Sequence, residues 1–140
     1  MTSKKLWGGR FEEGLHEDAK TISYSLYIDK VFAIHDIKVN LVHSKYLNKA
    51  GVLTNDEFKQ LKKCLNRLEK KFLANPDHGL ADDEDIHSAI ERLVTEQCGD
   101  IGKKMHTGKS RNDQVITDLR LFCKEMIQIV VNELYLTIET

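Results

Sequence analysis

A chain of 140 residues, 41% of them hydrophobic, is long enough to bury one core and too short for two comfortable domains. Its 21 lysine and arginine residues are balanced by 22 aspartate and glutamate residues, so the net charge of −1 provides no basic field of the kind that gathers nucleic acid. No apolar run of signal length opens the chain, and no window approaches the roughly 18 apolar residues of a membrane helix, so we expect a cytoplasmic protein with no membrane partner.

The longest segments repeat with a helical period and the single proline, Pro76, lies between them, so the sequence predicts an all-α fold. We expect the first long helix to run from Asp29 to Ala50, with Gly51 in a left-handed conformation after its end. Its apolar face is formed by Ile34, Ile37, Leu41 and Leu47.

The second predicted helix begins at a capping box formed by Thr54 and Glu57 and ends before Pro76. Its apolar stripe consists of Phe58, Leu61, Leu65, Leu68 and Phe72. A polar, acidic connector between His78 and Asp85 then leads to a shorter amphipathic helix that ends near Gly99. Its apolar positions are Ile86, Ile90, Leu93 and Val94.

We expect the last helix to be the longest, with Ser110 as its N-cap and Asp113 near its positive end. Its apolar face contains Val115, Leu119, Phe122, Met126, Ile129, Val130, Leu134 and Ile138. This pattern still continues at Thr140 without a stop signal, so we expect the chain to be a piece of a larger protein, cut inside a long helix whose exposed apolar residues need partners.

The segment HTGKSRND, from His106 to Asp113, lies directly at the start of this helix. The unpaired amides and the dipole of a helix N-terminus favour anions, and Lys109 and Arg111 add positive charge there. Asn112 can donate and accept hydrogen bonds to orient a polar substrate. The segment therefore suits a carboxylate or a phosphate, but its spacing fits a solvated capping loop equally well.

Other chemistries have weaker support. A phosphate-binding P-loop would need glycine at position 103, where Lys103 stands. His87 and Glu91, four residues apart, predict a structural contact rather than a metal site, because no second histidine completes a ligand set. Cys64, Cys98 and Cys123 form no CxxC pair and are expected to be reduced, mostly buried thiols.

Five motifs together resemble one known family. KLWGGRF, SLYID, NKAGVLT, DEDIHSAIE and HTGKSRNDQVITDLRLF occur in the order and at the spacing found at the start of argininosuccinate lyases, in the fumarase/aspartase superfamily. The resemblance implies an all-α fold, with an N-terminal helical domain at 1–109 and the start of a central long-helix bundle at 110–140.

The resemblance also implies a function, which is the β-elimination that splits argininosuccinate into arginine and fumarate in arginine biosynthesis, without a metal or an organic cofactor. It implies that Ser25, Arg111 and Asn112 bind substrate and that Asp85, His87 and Lys109 support the site. The active site would be shared between subunits of a homotetramer. The family's catalytic histidine and serine belong to later segments, so no catalytic residue is expected in this chain, which should be inactive alone.

The sequence departs from the family pattern at two places. Lys109 stands where arginine is usual, and Val39 and Asn40 stand where a Gly-Ser pair is common. Two alternatives remain open at this point. One is a structural protein related to the lens crystallins of this family that lack activity. The other is a related lyase that acts on adenylosuccinate or fumarate, although WGGRF and DEDIH favour argininosuccinate.

Overall fold

The computed structural model describes residues 16–139, and the KLWGGRF motif lies outside this range. Within it the chain is helical and contains no strand, which confirms the predicted all-α fold. The elements in order are α1 (Glu17–Ser23), α2 (Leu26–Asp29), a 3-10 turn (Lys30–Phe32), α3 (Ala33–Lys49), α4 (Asn55–Ala74), α5 (Ile86–Cys98), α6 (Asp100–Lys104) and α7 (Arg111–Glu139).

The core lies where α3, α4 and α5 pack against one another. The predicted stripes of α4 and α5 enter it, because residues three or four positions apart share one face of a helix. Its fully enclosed side chains include Ile37, Leu61, Leu65, Leu68, Ile86, Ile90 and Val94. Ile34 and Leu41 of α3 are only partly buried at its margin.

Local signals set the helix ends, and the capping box at Thr54 and the glycine at Gly51 were predicted. The Thr54 hydroxyl accepts a hydrogen bond from the Glu57 amide at 3.2 Å, and the Glu57 carboxylate accepts one from the Thr54 amide at 2.8 Å. Asp85 caps α5 by accepting a hydrogen bond from the amide of Ser88 at 2.6 Å. Gly51 has a φ of 76°, the left-handed conformation that ends α3.

Two features of the fold differ from the expectation. The first long helix begins at Ala33 rather than at Asp29, because Asp29 is buried and its carboxylate accepts hydrogen bonds from the Ser25 hydroxyl and the Ile86 amide. Helices α1 and α6 were not predicted, and α6 packs closely on α5. A Cβ atom at Gly102 would lie 2.7 Å from the Cα atom of Thr95, so α6 can approach α5 only through a glycine.

Helix α7 begins at Arg111 and continues to Glu139, which confirms the predicted long helix. Its fully buried residues, however, are the polar Gln114 and Asp118. Most of the predicted apolar face is exposed within the described chain, including Leu134 at 57% and Ile138 at 79%. Among the described residues, no helix has the length and apolar character needed to cross a membrane.

The cysteines follow the expectation only in part. Cys64 is buried, and burial together with a contact to Cys98 raises the pKa of its thiol to about 12. Cys98 is half-buried and Cys123 is exposed on α7, so the expectation of a buried thiol was wrong for Cys123. The face of α7 that carries Cys123 is not covered by the other described helices.

Candidate functional site

The N-terminal ends of α5 and α7 lie side by side. The Arg111 guanidinium, in the first turn of α7, lies 3.5 Å from the carboxylate of Asp85, the N-cap of α5, and donates a hydrogen bond to the Ser88 hydroxyl at 3.3 Å. The two charged side chains are 26% and 17% exposed. A planar, half-exposed guanidinium therefore lies beside two helix N-termini, an arrangement suited to a carboxylate ligand.

Ser25 is tied to the start of α5. Its amide donates a hydrogen bond to the Glu84 carbonyl at 2.9 Å, and its hydroxyl donates one to the Asp29 carboxylate at 2.6 Å. Asp29 in turn accepts a hydrogen bond from the Ile86 amide at 3.0 Å. The half-buried Ser25 is thus fixed relative to the α5 N-terminus that also carries Asp85.

Asn112 is exposed in the first turn of α7, directly after Arg111. Its side-chain amide has no hydrogen-bond partner within residues 16–139. An amide in this position can donate and accept hydrogen bonds with a ligand at the helix end without first breaking an internal contact.

His87 is buried in the first turn of α5, with its Nδ1 atom 3.0 Å from Asp36 and 3.3 Å from Asp118. The expected contact between His87 and Glu91 is therefore replaced by contacts to other helices. Glu91 instead lies 3.5 Å from His106. The cause is the direction of the His87 ring, which enters the space between α3 and α7.

His87 belongs to what we call the buried polar cluster, a group of side chains between α3, α5 and α7. The Asp36 carboxylate accepts hydrogen bonds from Asn40 at 2.8 Å and from Gln114. The Lys109 ammonium donates a hydrogen bond to Asn40. The cluster consists of Asp36, Asn40, His87, Lys109, Gln114 and Asp118.

The two carboxyl groups of the cluster differ in protonation. Burial disfavours the charged form of Asp36, but the hydrogen bonds from His87 and Gln114 and the nearby Lys109 outweigh it and hold the pKa of Asp36 below its ordinary value. Burial and the adjacent Asp36 charge raise the pKa of Asp118 to about 8. The raised pKa favours the protonated form of Asp118 at neutral pH, and that proton can be shared with Asp36.

A proton on Asp118 explains why its side-chain oxygens accept no hydrogen bond. Neither side-chain oxygen of Asp118 accepts a hydrogen bond with good geometry from another described residue. A neutral carboxyl group can donate to Asp36 instead, and the Lys109 ammonium then balances the single remaining carboxylate. Burial lowers the pKa of Lys109, although Asp36 and Glu91 oppose this effect.

The cluster also has the spacing of a metal site, since ligand atoms of Asp36, His87 and Asp118 lie within 4.8 Å of one another. Its charge does not fit a divalent cation, however. The Lys109 ammonium, which donates to Asn40, already compensates the charge of Asp36, and a metal cation close to this ammonium would be repelled. The cluster is a network of hydrogen bonds in which Gln114 Oε1 and both Asp118 oxygens accept no hydrogen bond from another described residue.

The expected site residues therefore occupy two connected places. Ser25, Asp85, Arg111 and Asn112 lie around the two helix N-termini, whereas His87 and Lys109 lie in the buried polar cluster behind them. The sequence interpretation did not include Asp36, Asn40, Gln114 and Asp118. A usable signal was present, because Ile37, Asn40, Ser44 and Leu47 continue a helical period and polar residues at such positions face the core.

The amino-acid sequence of the chain is similar to those of known lyases. A sequence model of the family described as "Lyase" matches residues 9–139. Proteins named argininosuccinate lyase are similar to the chain. The one from Pseudoalteromonas atlantica is 43% identical over 129 residues, 91% of this chain and 28% of its own length. The one from Alteromonas mediterranea is 48% identical over 123 residues, 87% of this chain and 27% of its own length.

A third protein of that name, from Thermoanaerobacter sp. strain X514, is 43% identical over 137 residues, which is 97% of this chain and 30% of the relative. The chain thus spans less than a third of the length of the curated relatives that it matches.

Proposed function

This chain belongs to the lyase family of the fumarase/aspartase superfamily, and we propose that it is the N-terminal part of an argininosuccinate lyase. The full-length enzyme would split argininosuccinate into arginine and fumarate by β-elimination, as part of arginine biosynthesis. Similarity to three proteins named argininosuccinate lyase, at 43–48% identity, supports this substrate over those of other lyases.

The observation that carries the proposal is the position of Arg111 beside the N-termini of α5 and α7. In a β-elimination a proton leaves the carbon next to a carboxylate, and negative charge develops on that carboxylate in the transition state. A guanidinium and helix amides that are already in place stabilise this charge without reorganisation. Arg111 and Asn112 would bind the substrate from the start of α7, and Ser25 would bind it from beside the start of α5.

Asp85 would have a supporting role, because its carboxylate lies 3.5 Å from Arg111 and caps α5. It orients the guanidinium while keeping the α5 N-terminus intact. His87 would support the site from inside, since it connects α5 to Asp36 and Asp118. None of these residues is assigned as the base or the acid of the reaction, which later segments of the enzyme would supply.

The rest of the proposal concerns assembly. Residues 1–109 would belong to an N-terminal helical domain, and residues 110–140 would begin the long-helix bundle of a cytoplasmic homotetramer. The exposed apolar side chains of α7 support this arrangement, because a contiguous apolar surface usually marks an interface. The reaction would need no metal and no organic cofactor.

The proposal is tested by offering the purified full-length enzyme argininosuccinate, adenylosuccinate and malate separately and measuring fumarate release. We expect fumarate from argininosuccinate alone. Release from adenylosuccinate or malate instead would assign a related lyase. A folded, assembled protein that releases fumarate from none of the three would indicate a structural homologue, and either result would overturn the proposed activity.

A further inference from the structure

Three contacts connect one face of α3 to the segment that precedes and begins α7. The His43 side chain lies 3.0 Å from the Thr107 carbonyl, Asn40 accepts a hydrogen bond from Lys109, and Asp36 accepts one from Gln114. His43, Asn40 and Asp36 are spaced three and four residues apart, so they form one row along α3.

The proposed substrate-binding pair, Arg111 and Asn112, lies between two of these contacts. Lys109 is held two residues before Arg111, and Gln114 is held two residues after Asn112. Asp36 and Asn40 are themselves joined by a hydrogen bond of 2.8 Å. The contacts to Lys109 and Gln114 therefore both depend on these two α3 side chains. The pair cannot shift along the axis of α7 without breaking one of them.

Lys109 is turned inward in this arrangement. Its side chain donates to Asn40, a residue with no exposed surface, instead of pointing to the helix N-termini where a ligand would bind. The contact is partly buried, so an ammonium that loses this hydrogen bond keeps part of its desolvation cost.

We propose that Asn40 and Asp36 are positioning residues, which hold Lys109 and Gln114 and thereby fix where Arg111 and Asn112 stand, and that Lys109 is an internal anchor rather than a substrate ligand. The expected effect on turnover rests on the proposed function. The anchoring itself depends only on the contacts within the chain. A misplacement of about 1 Å can cost roughly 100-fold in rate, so an anchor without substrate contact can still determine turnover.

The test uses two variants of the full-length enzyme. Asn40→Leu removes both amide contacts at similar volume. Ser44→Ala is the matched control, because Ser44 is buried on the same helix and its hydroxyl bonds only to the backbone carbonyl of Asn40. Two quantities are measured for each, namely hydrogen exchange of the backbone amides of residues 106–114 and kcat/KM for argininosuccinate.

We expect Asn40→Leu to increase exchange across residues 106–114 and to lower kcat/KM by about 10- to 100-fold. Ser44→Ala should leave both quantities near those of the unmodified enzyme. Adding Asn112→Ala to Asn40→Leu should cost less than it does alone, because a displaced Asn112 contributes less.

Unchanged exchange in Asn40→Leu would overturn the anchor, and increased exchange with normal kcat/KM would overturn its role in positioning. If the unmodified enzyme does not cleave argininosuccinate, the proposed function fails, while the exchange measurement still decides whether the anchor exists. Equal losses in Asn40→Leu and Ser44→Ala would assign the effect to general loosening of α3 and contradict the inference.

Discussion

The ammonium group of Lys109 donates a hydrogen bond to the side-chain oxygen of Asn40, 69 positions earlier in the sequence. These are two of the positions at which the sequence departs from the pattern of the family that it resembles. Because they contact each other in a buried place, the two departures are structurally linked. A change at one position alters the space and the polar partner available to the other.

The first prediction tests this link. Lys109→Arg alone places a larger, forked group against Asn40 and should lower the free energy of unfolding by about 1–3 kcal/mol, as overpacking does. Asn40→Ser makes room for it, so the double variant should be more stable than the sum of the single effects predicts. A thermodynamic cycle built from urea unfolding measures the difference, and strict additivity would contradict the link.

The second prediction concerns the full-length enzyme at Asn112. Asn112→Ala should lower turnover by roughly 100- to 1,000-fold, about 3–4 kcal/mol, since it removes one oriented contact to a ligand whose charge grows during the reaction. Because the side chain is exposed, the free energy of unfolding should change by less than about 1 kcal/mol. Thr117→Ala, at another exposed position of α7 five residues further along, is the control and should change neither quantity.

The third prediction concerns Arg111. Arg111→Lys keeps the positive charge but cannot form two parallel hydrogen bonds with a carboxylate, so turnover should fall although the charge is retained. The melting temperature should decrease by only a few degrees, because the contacts of Arg111 to Asp85 and Ser88 are long and partly exposed. Near-normal turnover with a much lower melting temperature would indicate that the segment is only a capping loop.

The fourth prediction follows from Asp118. The pKa of about 8 in the folded protein lies above the ordinary value of 3.8, so the folded state retains a proton that the unfolded state releases between these values. The stability from this group is fully present below about pH 4 and is lost as the pH rises through about 8. Asp36 has the opposite effect on stability. Because its pKa is lowered in the folded protein, the stability that it contributes is lost only as the pH falls below the ordinary pKa of an aspartate.

Asp118→Asn stays neutral at every pH and can still donate a hydrogen bond to Asp36. Its melting temperature should therefore fall less than that of the unmodified protein between about pH 5 and pH 8.5. Asp113→Asn, at an exposed position of the same helix, is the matched control and should keep the original pH dependence. Parallel melting curves for Asp118→Asn and the unmodified protein would exclude a protonated Asp118.

The fifth prediction tests the contact between α5 and α6. Gly102→Ala adds a Cβ atom 2.7–2.8 Å from backbone atoms of Thr95, so the helices must separate. The expected loss is about 1–3 kcal/mol, even though alanine favours a helix over glycine by about 1 kcal/mol. Lys103→Ala, at the exposed neighbouring position, should be nearly neutral in the same unfolding experiment. A Gly102→Ala variant more stable than the unmodified protein would show that α5 and α6 can move apart without loss of stability.

The sequence predicted the parts of the fold that depend on neighbouring residues. The capping box at Thr54 and the left-handed Gly51 each act over a few positions, and each is present. Helix α6 was missed because five residues with a glycine at their centre carry too little periodic signal. The anion site expected at the arginine and amide at the start of α7 rests on their chemistry and stays a prediction.

The buried polar cluster could not be predicted in the same way. Asp36, Gln114 and Asp118 are residue types that usually face solvent, and their burial depends on partners supplied by two other helices. His87 was assigned to Glu91, four residues away, because sequence spacing reveals contacts within a helix but not those between helices. The resemblance named His87 as a supporting residue without identifying Asp36 and Asp118 as the groups it contacts.

Three polar contacts join the segment at residues 106–114 to α3, at separations of 64, 69 and 78 residues. The start of α5 adds the contacts of Arg111 to Asp85 and Ser88. The shape of HTGKSRND is therefore a property of the assembled helices and not of the eight residues themselves. A peptide with this sequence, or the same letters grafted onto another helix start, would retain the charges and the amide but lose their spacing. The motif is informative in this protein because α3 and the start of α5 together provide the side chains that fix its spacing.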